Sequence, residues 1–364
     1  MTRVKRALEV PASGQDNDLD PRKRHGYIGI DLGGTKTLGL LLDEADTVMA
    51  RIVTPTDASG NEAVQAGILD VLHWLIRSAA EQNVEVTAIG VGAPGFIDSD
   101  LGVMVDASNL QVRDLPLVNG IESALGLRTL LVHDVRAAAL AEGRVGAARG
   151  AKNFVYINVG TGIAAGFVFD GMLYAGEGGR AGEIGHVVLR ADGPLCSCGK
   201  RGCLEALASG PAIERAAWAA LNANPTSMLA NLARTAAPRA LPQELTPVAD
   251  DLAQDGIMRN LAEAAEAGDD AAQSVLGAAT GHLGRVIAWL VDSLAPERVI
   301  IGGGVASLGT VFLEPLAQAT KAGTLETNWH PGLITSGELN GNAGAIGAAL
   351  AARHRFGNLK EAQT

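Results

Sequence analysis

YIGIDLGGTKTLGLLL, residues 27–42, is the stretch that decides the fold, because its pattern returns at residues 154–169 as FVYINVGTGIAAGFVF. Asp31 falls opposite Asn158, Gly33 opposite Gly160 and Gly39 opposite Gly166. Each copy is an apolar run, a small polar turn and a second apolar run, the pattern of a β-hairpin with a glycine-containing connection. The repeat predicts two structurally related halves. At the first turn, Gly33, Gly34 and Thr35 present unshielded backbone N–H groups able to form an anion-binding concavity. Asp31 could face a hydrated Mg2+, and Lys36 could counter negative charge. A single copy reads as an ordinary hairpin turn. Two copies, with Thr35 in one and Thr161 beside Gly160 and Gly162 in the other, point to phosphate gripped from both sides.

Two better-known phosphate signatures do not apply. A Walker loop, GxxxxGK[ST], fails because counting from Gly29 puts Thr35 where the lysine belongs, and a strand follows. Residues 90–95 satisfy GxGxxG, but Pro94 and the FIDSD after Gly95 do not open the helix a dinucleotide site needs. As a rigid loop, GAPG at residues 92–95 could still shape a pocket.

Composition sets the bounds. A chain of 364 residues suggests roughly two domains, and 47% hydrophobic residues supply a sizeable core. The net charge of −11 argues against nucleic acid or anionic membrane held by bulk charge. Glycine is in excess at 46 residues, lying among Val, Ile and Leu as in tight turns and close backbone approaches. Three cysteines in so long a chain make a disulfide framework a poor reading and a reducing cytoplasm the expected setting. Residues 1–26 carry six Lys/Arg without an apolar core, so they read as a flexible tail and not a secretory signal. The uncharged run at residues 153–169 is broken by Asn158 and glycines, and no transmembrane segment is predicted.

Farther along, residues 128–132 read as a strand, and Asp134 follows as the N-cap of the helix VRAAALAEGRVG, a sufficient structural reason for an Asp there. Pro211 opens another helix, and four prolines within residues 222–250 predict an irregular insertion or lid. Residues 272–294 have the apolar spacing of a core helix, with His282 and Trp289 expected as packing residues. RVIIGGGVA, residues 298–306, reads as a buried strand entering a glycine turn and a helix; residues 341–352 read as a small-residue helix. Alternating strands and helices in two similar halves give an α/β fold with a cleft between domains.

All three cysteines lie within eight residues, Cys196, Cys198 and Cys203, with His186 ten residues before the first. Three thiolates and one imidazole complete a tetrahedral structural zinc site with no open position for a catalytic water. Lys200 and Arg201 would favour the thiolates. The expected role is architectural: one wall of a pocket and a fixed His186 ring.

Together, DLGGTKT, GAPG, SNL, the Asp before a helix, AGEIGH, CSCGKRGCLE and IIGGGVA resemble the ROK family (repressors, open reading frames and sugar kinases), from Tyr27 to about Ala352. The resemblance implies an actin-like, hexokinase/ribonuclease H-like fold: a tail at 1–26, an α/β domain at 27–134, a second at 135–350 and a tail at 351–364. It implies ATP, Mg2+ and structural Zn2+, with phosphate transfer to the 6-hydroxyl of a hexose. Glucose is the leading substrate, and an N-acetylhexosamine or amino sugar the alternative. Asp134 matches the catalytic base, and Gly95, Asn109, His133, Glu183, His186 and Glu205 match the sugar side. Asp31, Gly33, Gly34, Thr35, Lys36, Gly160, Thr161 and Gly162 match the phosphate loops, and Gly303 and Gly304 the loop under adenosine. Dimers or higher homo-oligomers are common among similar proteins. Repressors in the family carry an N-terminal helix-turn-helix; the 26 residues here have no helical pattern, which is an expectation against that class. Two departures stand out. Where many family kinases have Asn-Asp-x-Asn, this chain reads His133-Asp134-Val135-Arg136, and Arg136 is expected on a solvated face.

Overall fold

A computed structural model describes residues 24–235 and 256–357. The first half comprises β1 (Arg24–Leu32), β2 (Lys36–Asp43), β3 (Val48–Pro55), α1 (Asn61–Glu81) and β4 (Val84–Ala93). Three short strands follow, β5 (Phe96–Asp98), β6 (Val103–Ala107) and β7 (Val112–Leu115), then α2 (Leu117–Leu125) and β8 (Thr129–His133). After α3 (Asp134–Val145), the second half contains β9 (Phe154–Val159), β10 (Ile163–Phe169) and β11 (Met172–Tyr174). Helices α4 (Leu204–Ala208), α5 (Gly210–Ala223), α6 (Met228–Thr235), α7 (Ile257–Glu266) and α8 (Asp270–Leu294) come next. β12 (Arg298–Gly302), α9 (Thr310–Gly323), β13 (Ile334–Ser336) and α10 (Ala343–Phe356) close the chain.

The duplicated hairpin is the duplicated centre of two sheets. Their strand orders are β3-β2-β1-β4-β8 and β11-β10-β9-β12-β13. In each, the first strand pairs antiparallel with the second (Leu32 opposite Thr37, Val159 opposite Ile163) and parallel with a later strand (β4 or β12). β5–β7 form a small antiparallel sheet appended to the first half. The register sets Asp31 beside Gly92 and Ala93 beside His133, and in the other sheet Gly302 beside Asn158. The two turns, GAPG, Asp134 and the Gly302 turn thus all lie at the carboxyl ends of parallel strands, where open α/β sheets bind ligands.

Helix faces explain the layers. α1 buries Val64, Ile68, Val71, Leu72, Leu75 and Ala79 at helical spacing against the first sheet. α8 forms the core of the second half, with Leu283, Ile287 and Val291 fully buried. Among the described residues it is the helix long and apolar enough to span a membrane, but most of it is packed inside the protein. Trp289 on α8 does not pack as expected: it is 64% exposed.

α3 and α10 lie between the sheets. Ala345 and Ala349 of α10 pack with Tyr27, Leu38 and Leu40, while Val135, Ala138 and Ala139 of α3 pack with Tyr156 and Val168. α10 comes so close to the first sheet that a Cβ on Gly29 or Gly90 would strike the carbonyls of Ala345 and Ala348. Residues 343–350, expected in the second domain, therefore pack on the first sheet, and the expected tail at 351 begins inside α10. Glu142 fixes the other end of α3. Only 1% exposed, it accepts hydrogen bonds from the N–H groups of Ala147 (2.8 Å), Glu338 (3.2 Å) and Leu339 (3.0 Å).

At the N-terminus β1 starts at Arg24, inside the expected tail; residues 1–23 lie outside the described residues. The expected irregular insertion begins within α5 and contains the regular helix α6, while Pro238, Pro242 and Pro247 lie outside the described residues.

Candidate active site

β8 ends in His133 and α3 begins at Asp134, so His133 occupies the N-cap position and Asp134 the first helical turn. The sequence reading placed Asp134 at the cap, one residue too early. Its carboxylate bonds locally: Oδ1 accepts from Val135 N–H at 2.7 Å and lies 3.1 Å from His133 Nδ1. Both contacts fall on Oδ1, which leaves Oδ2 the less engaged oxygen. Removal from water raises the Asp134 carboxyl to about 6, with the Val135 N–H and Arg136 pulling it down and Glu183 pushing it up. Burial lowers His133 to about 4, helped by Arg136, so the imidazole is neutral near pH 7. A neutral ring donating from Nδ1 keeps its lone pair on Nε2.

Asp31, at the end of β1, is the second buried carboxylate. Burial and then the nearby Asp134 charge raise it to about 7, opposed by Lys36. A Cβ on Gly344, at the start of α10, would come within 2.5 Å of Asp31 Oδ2. The carboxylate thus lies at a helix N-terminus, which favours negative charge. A carboxylate in this position can accept from the water shell of a hydrated divalent cation.

Arg136 departs most from its expected place. It is 5% exposed, and Nη1 donates to the carbonyls of Gly179 (2.8 Å) and Ala175 (3.4 Å). Burial lowers its pKa, while Asp134 and Glu183 act to raise it, so the guanidinium lies in the field of both carboxylates.

The two turns differ in length. Gly33 N–H bonds to Lys36 O at 2.9 Å and Gly160 N–H to Gly162 O at 2.9 Å, with Thr35 and Thr161 inside the respective turns. Asn109, in a short 3-10 turn at Ser108–Leu110, lies against the first: its Nδ2 would be 3.0 Å from a Cβ on Gly34. Gly303 has a φ of 83°, and a Cβ there would meet Asn158 Oδ1 at 2.8 Å, so the third glycine turn lies against β9. Gly95, with a φ of 81°, is pressed against Asp106 and Ala107 of β6.

The cysteine motif is brought together with His186. Tetrahedral zinc, with Zn–S of about 2.3 Å and Zn–N of about 2.05 Å, sets edges of roughly 3.8 Å between sulfurs and 3.6 Å between sulfur and nitrogen. Cys198 Sγ is 3.7 Å from Cys203 Sγ, and Cys196 Sγ is 3.6 Å from His186 Nδ1. All four ligand atoms lie within 4.8 Å of one another. Burial, with the neighbouring thiols, pushes Cys203 up to about 12, while the Lys200 N–H leads the groups that pull Cys198 down. His186 Nε2 faces the other way, 3.9 Å from Glu183 Oε2. Glu205 joins the motif to the second turn: Oε1 accepts from Ser197 Oγ at 3.3 Å, and Oε2 from Ile163 N–H at 3.1 Å. The roles of Ile163 and Gly344 were not read from the sequence, since both act through backbone position.

Two related sheets, a glycine turn on each and a partly buried carboxylate at the sheet edge define an actin-like α/β protein of the sugar-kinase kind. The ROK family model matches residues 27–355, and the chain belongs to the ROK family. A glucokinase of Halalkalibacterium halodurans is 32% identical over 339 residues, covering 92% of this chain and 97% of that protein. Among solved structures, a ROK family glucokinase from Streptomyces griseus, in complex with glucose and AMPPNP, superposes with a TM-score of 0.76 at 31% identity. That match covers 90% of this chain and 99% of the other. A ROK hexokinase from Thermus thermophilus gives a TM-score of 0.70 at 33% identity, with 91% and 98% covered.

Proposed function

We infer that this chain is an ATP-dependent glucose kinase that transfers the γ-phosphate of ATP to the 6-hydroxyl of glucose. The observation that carries the reading is Asp134: a partly buried carboxylate at the carboxyl edge of the first sheet, its Oδ1 fixed by Val135 N–H and His133 Nδ1. Oδ2 accepts the hydroxyl proton as the sugar oxygen attacks phosphorus. A bond forms between that oxygen and the γ-phosphorus, and the bond from the γ-phosphorus to the bridging oxygen of ADP breaks.

The turns at Gly33–Gly34–Thr35–Lys36 and Gly160–Thr161–Gly162 bind the phosphates through backbone N–H groups, and Lys36 adds positive charge. Gly303 and Gly304 lie under the adenosine. Asp31 would hold a hydrated Mg2+, whose charge would offset that developing on the phosphates. On the sugar side, Glu183, Glu205, His186 Nε2, His133 Nε2 and Asn109 orient the hydroxyls, with Gly95 shaping the loop behind them. A site built on such hydrogen bonds rejects analogues that lack the hydroxyls. Zinc on His186, Cys196, Cys198 and Cys203 holds this wall in place. The setting consistent with free thiolates is the reducing cytoplasm, and the working form is a homodimer or higher homo-oligomer.

The test is ADP release over glucose, mannose, fructose, N-acetylglucosamine, N-acetylmannosamine and amino sugars. Glucose should give the highest kcat/KM. A higher value for an N-acetylhexosamine would move the assignment to that class, and no turnover with any sugar would remove the kinase reading.

A further inference from the structure

Arg136 stands where the Asn-Asp-x-Asn pattern described above has its second asparagine, and the reaction as derived does not use it. It lies in the first turn of α3, where a cation opposes the helix dipole. It is nonetheless 5% exposed, and a buried guanidinium needs specific partners. Those partners come from one loop, at Gly179 O (2.8 Å) and Ala175 O (3.4 Å). A Cβ on Gly179 would be 3.3 Å from Nη1, so the guanidinium rests on the bare backbone of that glycine. The loop runs on to Glu183, which faces His186, and its 3-10 turn at Glu177–Gly179 touches β5 of the other half.

We propose that Arg136 is a positioning residue that ties the loop of residues 175–183 to the first turn of α3, holding Glu183 and Asp134 in one frame across the cleft. The inference rests on the reading of Asp134 as base and Glu183 as a sugar contact. Gly182 O accepts from Ala165 N–H of β10 at 2.8 Å, which fixes the end next to Glu183, and Ala181 N–H to Ala175 O (3.0 Å) and Arg180 Nε to Glu177 O (3.3 Å) close the loop on itself. Gly176, Gly178, Gly179 and Gly182 all have positive φ, and the Arg136 guanidinium is what ties this glycine-rich segment to α3. A planar, charged fork that reaches two carbonyls supplies both the distance constraint and the orientation. The same charge also opposes protonation of Asp134. The groups bearing on that carboxylate are Arg136, Glu183 and the neutral His133, with Asp31 (itself facing Lys36) at the same sheet edge.

The decisive experiment compares wild type with Arg136→Gln and Arg136→Lys. Amide hydrogen exchange is read on peptides spanning 175–183, and KM and kcat are measured from pH 5 to 9. In Arg136→Gln the loop should lose protection and the KM for glucose should rise about tenfold. The KM for ATP should move less than about threefold, and the acidic limb of kcat/KM should shift to higher pH. Arg136→Lys keeps the charge but not the fork. It should keep the acidic limb and still lose loop protection, a separation that a merely structural role does not produce. Gly179→Ala, which presses on the tether from the loop side with Arg136 intact, should reproduce the KM rise and covers the case in which Arg136→Gln does not fold. Wild-type loop exchange and an unchanged glucose KM in folded Arg136→Gln would overturn the proposal. Absence of turnover in the wild type would instead remove the kinase reading, with the exchange result still deciding whether Arg136 orders the loop.

Discussion

Glu205 Oε2 accepts a hydrogen bond from Ile163 N–H at 3.1 Å, and through it the cysteine motif is fastened to the turn of the second hairpin. The same carboxylate accepts from Ser197, within the motif, through Oε1 at 3.3 Å. A Cβ on Gly162 would be 2.7 Å from Oε2, so the turn is pressed directly against this side chain. The cysteine motif and the second glycine turn share one support.

Cys198→Ser should therefore lose more than sugar affinity. Metal analysis of wild type should find about one zinc per chain, and the variant should find little. Calorimetry should show weaker binding of both glucose and a non-hydrolysable ATP analogue, each by about tenfold or more. Loss of glucose affinity with full nucleotide affinity would mean that Glu205 does not transmit the disturbance.

Asp134→Asn should fold and bind glucose, yet lose about 10²–10⁴-fold in kcat, the span expected for removing a general base. His133 separates orientation from proton transfer. His133→Asn retains an N–H close to the position of Nδ1, which can still hold Asp134 Oδ1, so kcat should stay within about threefold. His133→Leu removes the donor and should cost about tenfold in kcat. Equal kcat in the two variants would show that the 3.1 Å contact to Oδ1 does no orienting.

The hairpins and the clustering of His186 with the three cysteines were legible because their signals are local: two strands with a glycine turn, and four residues confined to a short segment. Arg136 was not. Its partners lie 39 and 43 residues away, and nothing in the α3 sequence distinguishes a cation facing solvent from one under a returning loop. The small-residue pattern of α10 predicted close packing but could not say against which sheet, and the choice fell on the first through Gly29 and Gly90. Trp289 has helical spacing with the α8 core yet is exposed, since an apolar stripe read from spacing is wider than the face that packs.

The raised carboxyls make two pH predictions. With Asp134 as the proposed base, kcat/KM should fall as pH drops through about 6. His133 is neutral over that range and should add no limb near its ordinary value. Stability runs the other way. Asp31 has its pKa raised in the folded state to about 7, so its contribution is fully present below the unfolded value near 4 and is lost as pH rises through about 7. Asp31→Asn removes a buried charge and should raise the melting temperature at pH 8 by a few degrees, roughly 2–4 °C per kcal/mol. The gain should shrink as pH falls toward 4. A constant gain at every pH would mean that the effect is not ionisation.

Gly347→Ala tests whether α3 is positioned by its packing on α10. A Cβ at residue 347 would strike the carbonyl of Ala137, a backbone atom inside α3 that cannot swing aside as a side chain could. Overpacking of this kind typically costs about 1–3 kcal/mol, and more when only backbone movement relieves it. α3 carries Asp134 at its first residue, and Glu142 holds its far end to the segment before α10. The cheapest relief is a small rotation or slide of α3, which moves the base relative to the phosphate turns. Gly347→Ala should thus lower both the melting temperature and kcat, with metal content and nucleotide affinity changed little. Gly341→Ala, where a Cβ meets nothing, is the control and should change neither. If Gly347→Ala lowered stability but left kcat at the wild-type value, Asp134 would be fixed by β8 and its own turn and not by the α3–α10 contact.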